Sequence, residues 1–184
     1  PDGTKIIYRH FIGGIGEIFI MNADGSGATN ITNTPEDEDA PSLSPDGTMI
    51  VFPRLTGGIW DIWTRDLTTN AEVQLTNTPD QDAIPAWSPD GTRITYRCTV
   101  AAVLHICMMN SDGTNQTIII NDAFSYTDPT WSPDSATLAF SRSASPFGLY
   151  TSNPDGSNLA QIPTPGLTTA TNPHWSPDGT RLVF

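Results

Sequence analysis

Positive charge is scarce in this 184-residue chain: eight Lys and Arg stand against twenty Asp and Glu, a formal net charge of −12 at pH 7. An acidic surface repels phosphate, which argues against a nucleic-acid binder and against a peripheral protein of anionic membranes. Long hydrophobic runs are missing as well. No stretch approaches the roughly 20 apolar residues that cross a bilayer, so membrane insertion is not expected. Two cysteines are too few for a disulfide scaffold. The chain opens on Pro1 without a Met and inside a motif, so the lack of a targeting segment says nothing about compartment. Charged residues make up only 15%, whereas Gly and Pro number 15 and 16. That balance suits a turn-rich β fold, not a helical bundle or a disordered acidic tail.

An internal repeat organises the text. Pro-Asp recurs as Pro1-Asp2, Pro45-Asp46, Pro89-Asp90, Pro133-Asp134 and Pro177-Asp178, each 44 residues after the last. The surrounding sequence is nearly fixed: SLSPDGTMIVF, AWSPDGTRITY, TWSPDSATLAF and HWSPDGTRLVF. A second shared run ends in Asp-Gly (EIFIMNADGS, HICMMNSDGT, LYTSNPDGSN), and a third reads NITNTPEDEDAP and QLTNTPDQDAIP.

Each period predicts four short strands. The first is Pro-x-Trp-Ser (Pro85 to Ser88), the second Lys5 to Arg9 or Arg93 to Arg97. The third is Glu17 to Met21 or His105 to Met109, the fourth Asn30 to Thr32 or Gln74 to Thr76. Ser-Pro-Asp-Gly puts Pro where φ is already near −65° and Gly where a positive φ is wanted, a tight reversal. Asp24-Gly25, Asp112-Gly113 and Asp155-Gly156 signal the turns between strands three and four. The second period has Asp66-Leu67-Thr68-Thr69-Asn70 there, which requires a different turn. Ile6-Ile7-Tyr8 and Ile18-Phe19-Ile20-Met21 are continuous apolar runs, so the sheets are expected to be covered on both faces. Small antiparallel sheets stacked around an axis meet that demand, and the fold class expected is an all-β β-propeller of four-stranded antiparallel blades. A β-sandwich does not explain a constant 44-residue step.

The motifs Pro-x-Trp-Ser-Pro-Asp-Gly-Thr, Ile-x-x-Met-Asn-x-Asp-Gly and Leu-Thr-Asn-Thr-Pro resemble the TolB-like (Pro-Asp-Gly repeat) β-propeller family along the whole chain. The departures are Ser135-Ala136 in place of Gly-Thr and Leu43 in place of Trp. The resemblance implies closed propellers, often of six or more blades, in periplasmic or secreted bacterial proteins and as the gating domain of some serine peptidases.

The periods assign residues 1–40 to a blade lacking its first strand, then 41–84, 85–128 and 129–172 to full blades. Residues 173–184 carry two strands of a further blade, so both end blades are expected to be incomplete. A segment of a longer propeller accounts for this, and is favoured because repeat folds close. Completion of the end blades by further copies of the chain, giving a head-to-tail filament, is the alternative.

Trp87, Trp131 and Trp175, with Leu43 at the fourth such position, are expected to wedge between blades, and Asp46, Asp90 and Asp178 to hold their turns. The acidic loop Glu36-Asp37-Glu38-Asp39 recurs as Asp80 and Asp82, then as Asp122 and Asp128. If these loops ring one mouth, Asp37, Asp39, Asp80, Asp82 and Asp128 could hold Ca²⁺; a solvated acidic rim is the alternative. The fourth copy, Thr164 to Asn172, has no acid. Cys98 and Cys107 fall on hairpin neighbours with a tight turn near Ala102, placing a disulfide or two buried thiols there.

His10, His105 and His174 occupy different repeat positions and make no metal cluster by spacing. No nucleophile elbow, zinc-protease or Walker motif occurs, and Gly13-Gly14-Ile15-Gly16 and Gly57-Gly58 read as hairpin loops. No catalytic residue and no cofactor other than Ca²⁺ is therefore expected. The functional expectation is a non-catalytic extracytoplasmic propeller that binds a protein partner or further copies of itself. The propeller of a larger serine peptidase or hydrolase, and a filament subunit, are the alternatives.

Overall fold

The computed structural model describes residues 3–166 and 169–184. The first Pro-Asp dipeptide, Pro1-Asp2, and two residues of the fourth inter-blade loop, Leu167 and Thr168, lie outside the described residues. The chain divides into two compact units, residues 1–85 and 86–184.

In the first unit, β1 (Lys5–Ile12), β2 (Ile15–Asn22) and β3 (Thr29–Asn30) form a three-stranded antiparallel sheet. A second sheet gathers β4 (Asp37–Glu38), β5 (Ser42–Leu43), β6 (Met49–Thr56), β7 (Ile59–Asp66) and β8 (Glu72–Gln74). Here β4 and β5 both pair with β6, so together they serve as one first strand. The core of this unit is Ile18, Ile50 and Phe52, with Ile7, Ile31, Leu43, Trp63 and Leu67 packed against them.

The third sheet has β9 (Asp82–Trp87), β10 (Arg93–Val100), β11 (Val103–Asn110) and β12 (Thr117–Ile120). In the second unit follow β13 (Tyr126–Trp131), β14 (Leu138–Arg142), β15 (Gly148–Ser152) and β16 (Ala160–Gln161), then the pair β17 (His174–Trp175) and β18 (Leu182–Val183). The core cluster there is aromatic: Tyr126, Trp131, Phe140 and Tyr150 with Ile106, Ile120 and Leu138. Four-stranded antiparallel blades in a 44-residue register make this a β-propeller fold, with a three-stranded first sheet and a two-stranded last one.

Two sequence expectations need correction. First strands begin before Pro-x-Trp-Ser, at Asp37, Asp82 and Tyr126 and not at Pro41, Pro85 and Pro129. The residue before each proline shares one backbone conformation: Ala40, Ile84, Asp128 and Asn172 all have positive φ, between 35° and 56°. At Ala40 this turn of the backbone separates β4 from β5. At Asp128 it is a bulge, and pairing resumes on its far side after a register shift between Thr127 and Thr130. The second correction concerns burial. Sheets covered on both faces describe β6, β10 and β14 but not β1, where Ile6, Phe11 and Ile12 are exposed.

Candidate functional site

The turns use many of the repeated polar residues. In the turn before β6, Asp46 Oδ1 accepts from the Ser44 hydroxyl at 2.6 Å and from the backbone N–H and hydroxyl of Thr48. Gly47 sits at φ 72°, a conformation that a side chain resists. Asp90 and Asp178 repeat the same bonds with Ser88 and Thr92, and with Ser176 and Thr180. The Ser176 hydroxyl, then Thr180, holds the Asp178 pKa down to about 2. Burial pushes Asp90 up, but the bonds from Ser88 and Thr92 outweigh it and bring its pKa to about 2. Where the motif reads Ser135-Ala136, Ser135 takes the positive φ (60°) and its hydroxyl accepts from the Asp90 N–H at 3.1 Å. The bonds of these aspartates are those of turn residues.

The tryptophans divide. Trp131 is 5% exposed; its Nε1 donates to the Ala86 carbonyl at 3.2 Å, and the Arg93 guanidinium lies 4.7 Å from its ring centroid. That is a wedge between the third and fourth blades. Trp87 is half-buried and donates to the Gly91 carbonyl of its own turn. Trp175 is half-buried beside Pro133 and Asp134.

The acidic residues meet arginine and threonine. Arg9 bonds Asp37 at 3.0 Å and Asp39 at 3.1 Å, and the Gly16 N–H donates to the same Asp37 oxygen at 2.6 Å. A Cβ on Gly16 would overlap the Arg9 guanidinium and push it off these carboxylates. Glu38, fully buried, accepts from Arg54 Nε at 2.9 Å and from the Thr34 hydroxyl at 2.6 Å. Arg54 also grips Glu72 through two nitrogens, and Arg65 bonds Glu72 at 2.7 Å. Burial pushes the Glu38 carboxyl up, against the opposing hydrogen bonds. Asp82, 2% exposed, accepts from the Thr78 hydroxyl at 3.2 Å, and burial pushes its pKa up to about 6. Asp80 is in the turn before it; Asp128 is a bulge residue bonded by the Thr127 hydroxyl.

Asp37, Asp82 and Asp128 belong to first strands instead of loops, and among the described residues no three His, Cys, Asp or Glu stand close enough to hold a metal ion. The cation beside Asp37 and Asp39 is Arg9.

The third repeated motif, Leu-Thr-Asn-Thr-Pro, has a purpose that sequence reading missed. Thr76 accepts from the Ile62 N–H and donates to Asp61, while Thr78 donates to Asp82. One period earlier Thr32 accepts from the Ile18 N–H and donates to Glu17, and Thr34 donates to Glu38. Two threonines thus tie a buried acid of strand three to a buried acid of the next first strand. The recurrence of Glu17 and Asp61 at one repeat position was the available signal.

Cys98 and Cys107 are joined by a disulfide with Cα atoms 5.8 Å apart. They are diagonal across the hairpin, since Cys98 faces His105 and Cys107 faces Tyr96. Ala101 and Ala102, at φ 50° and 66°, make the tight turn. The histidines are dispersed: His10 packs edge-on against Phe19, His105 is buried against the Ile120 carbonyl, and His174 pairs with Val183.

The family model of the TolB beta propeller domain matches residues 1–135. The chain belongs to the TolB β-propeller family. Among solved structures it is similar to a TolB-designated protein of Agrobacterium tumefaciens, with a TM-score of 0.85 at 22% identity over 97% of this chain and 69% of that one. TolB of Acinetobacter baumannii gives 0.85 at 17% identity, over 97% of this chain and 46% of that one. Puromycin hydrolase gives 0.77 at 16% identity, over 99% of this chain and 32% of that one. The chain therefore spans about half of the Acinetobacter TolB and a third of the hydrolase. A search of curated proteins finds no match.

Proposed function

We propose that this TolB-family chain is a non-catalytic, extracytoplasmic propeller that binds another protein through the tips of its blades. The observation that carries the reading is the placement of exposed apolar side chains at turns joining second and third strands. Phe11 (58% exposed) and Ile12 end β1, Val100 ends β10, and Phe147 (52% exposed) precedes β15. Loop tips on a rigid scaffold commonly carry binding residues, and exposed aromatic side chains there can serve as contact anchors. The polar residues of the repeat, by contrast, are occupied by turns and arginines. Membership of the TolB family and the Cys98–Cys107 disulfide support an oxidising compartment. Among the described residues no helix is long and apolar enough to cross a membrane.

A photo-crosslinking amino acid placed at Phe11 or at Phe147, in cells that make the protein, tests this. Adducts with a partner protein from either tip, and none from the exposed Thr69, are expected; adducts with the chain itself identify self-association. Absence of adducts from both tips overturns the reading.

The second reading, a propeller belonging to a larger hydrolase, draws on the similarity to puromycin hydrolase. Labelling of the intact native protein by a fluorophosphonate would establish it.

A further inference from the structure

In the first unit a groove of about 440 Å³ is lined by Thr4, Lys5 and Ile20 on one side and Leu43, Pro45 and Asp46 on the other. Two periods later the same repeat positions are Thr92, Arg93, Met108, Trp131, Pro133 and Asp134. There the space is filled. Trp131 occupies it, the Arg93 guanidinium covers the ring face at 4.7 Å, and Met108 packs against the cluster that contains the indole. A third copy of the position, where Trp175 is present beside Pro133, Asp134 and Asp178, leaves only about 220 Å³.

Leu43 is the one departure from Trp at this position among the described blades. It keeps the apolar floor and removes the ring. The cation is kept as well: Lys5, which lines the groove, stands at the repeat position of Arg93, and its ammonium donates to Asn22 Oδ1 at 2.6 Å. The fold therefore holds a cation and an apolar floor arranged for an aromatic ring that the chain does not supply.

We propose that this groove receives a tryptophan side chain of a polypeptide partner, seated on Leu43 and Ile20 beneath Lys5. The proposal rests on the protein-binding reading and names one contact of it. Large aromatic anchors in a fitted pocket commonly dominate such interfaces.

The probe is the capped tripeptide acetyl-Gly-Trp-Gly-amide, titrated while the methyl resonances of Leu43 and Ile20 are followed. Shifts centred on those methyls are expected, with acetyl-Gly-Ala-Gly-amide giving none. Leu43→Trp fills the groove with the residue that three other blades hold, and is expected to fold and to weaken binding at least about tenfold. Lys5→Met, which leaves the groove open, is expected to weaken it about two- to fivefold through loss of the cation–ring contact. No shift at millimolar peptide, or equal affinity in Leu43→Trp and Lys5→Met, overturns the proposal. Binding of free indole without binding of the tripeptide overturns the polypeptide source. Crosslinks at Phe11 and Phe147 together with a silent groove would remove this site and leave the protein-binding reading standing.

Discussion

The second and third blades bury a carboxyl at the same repeat position and surround it differently. In the second, Glu38 shares Arg54 with Glu72, so a cation balances the charge. In the third, Asp82 stands at the Glu38 position, but the position of Arg54 is Cys98, committed to a disulfide. Among the described residues Asp82 has no ion pair. Burial, aided by the charges of Asp61 and Asp80, pushes its pKa up to about 6, against its threonine bonds. Where a cation is missing, burial leaves the carboxyl charged at neutral pH but easier to protonate as the pH falls through 6. The repeat thus dictates where a side chain goes and leaves open which chemistry satisfies it. The fourth blade makes the point again, because the position of Glu38 and Asp82 is Tyr126 there. Its hydroxyl donates to Asp122 at 2.8 Å while its ring packs edge-on against Phe140 and Tyr150.

The largest expected effect breaks the second blade. Arg54→Met leaves Glu38 buried without its cation, while the half-buried Glu72 keeps Arg65, and should cost about 3–5 kcal/mol in chemical denaturation. Replacing Glu38, Arg54 and Glu72 together by apolar residues should recover most of that loss, because the charges disappear along with their partner. A triple variant no more stable than the single one would contradict this.

Changing Cys98 and Cys107 together to Ser opens a nine-residue link and should cost about 2–3 kcal/mol by loop entropy. Reduction of the native protein should lower its melting temperature similarly and leave the double variant unmoved.

A smaller effect is expected at the turns. Asp90→Ala removes acceptors for Ser88 and Thr92 and should cost about 1 kcal/mol. The turn carboxyls also set the acid limit. Asp90 and Asp178 are held near 2, below their unfolded value, so their contribution is present above about pH 4 and is lost as pH falls toward 2.

The repeat period, the four strands per blade and the roles of the turn aspartates were legible because each rests on local chemistry. Pro pre-sets one dihedral, Gly accepts another, and Asp caps the turn within three residues. The wedge of Trp131 was legible from recurrence. The acidic residues were not, because their partners come from far along the chain: Arg9 reaches Asp37 across 28 residues, and Arg54 reaches Glu38 across 16. The early start of the first strands was hidden for a related reason. A positive φ at Ala40 or Ile84, before a proline, is not a preference of the residue itself. The cysteines were placed on the right hairpin, but their diagonal register depends on where the two-residue turn falls.

The cost of burying Asp82 without a cation is tested most directly by thermal unfolding of the native protein and of Asp82→Asn between pH 7 and pH 4. Asp82 binds its proton more tightly folded than unfolded, so its effect on stability should become more favourable as pH falls from above 6 toward 4. The account predicts that Asp82→Asn melts higher than the native protein at pH 7 and that the gap closes by pH 4. A gap that stays constant across that range, or a variant that melts lower at pH 7, would contradict it.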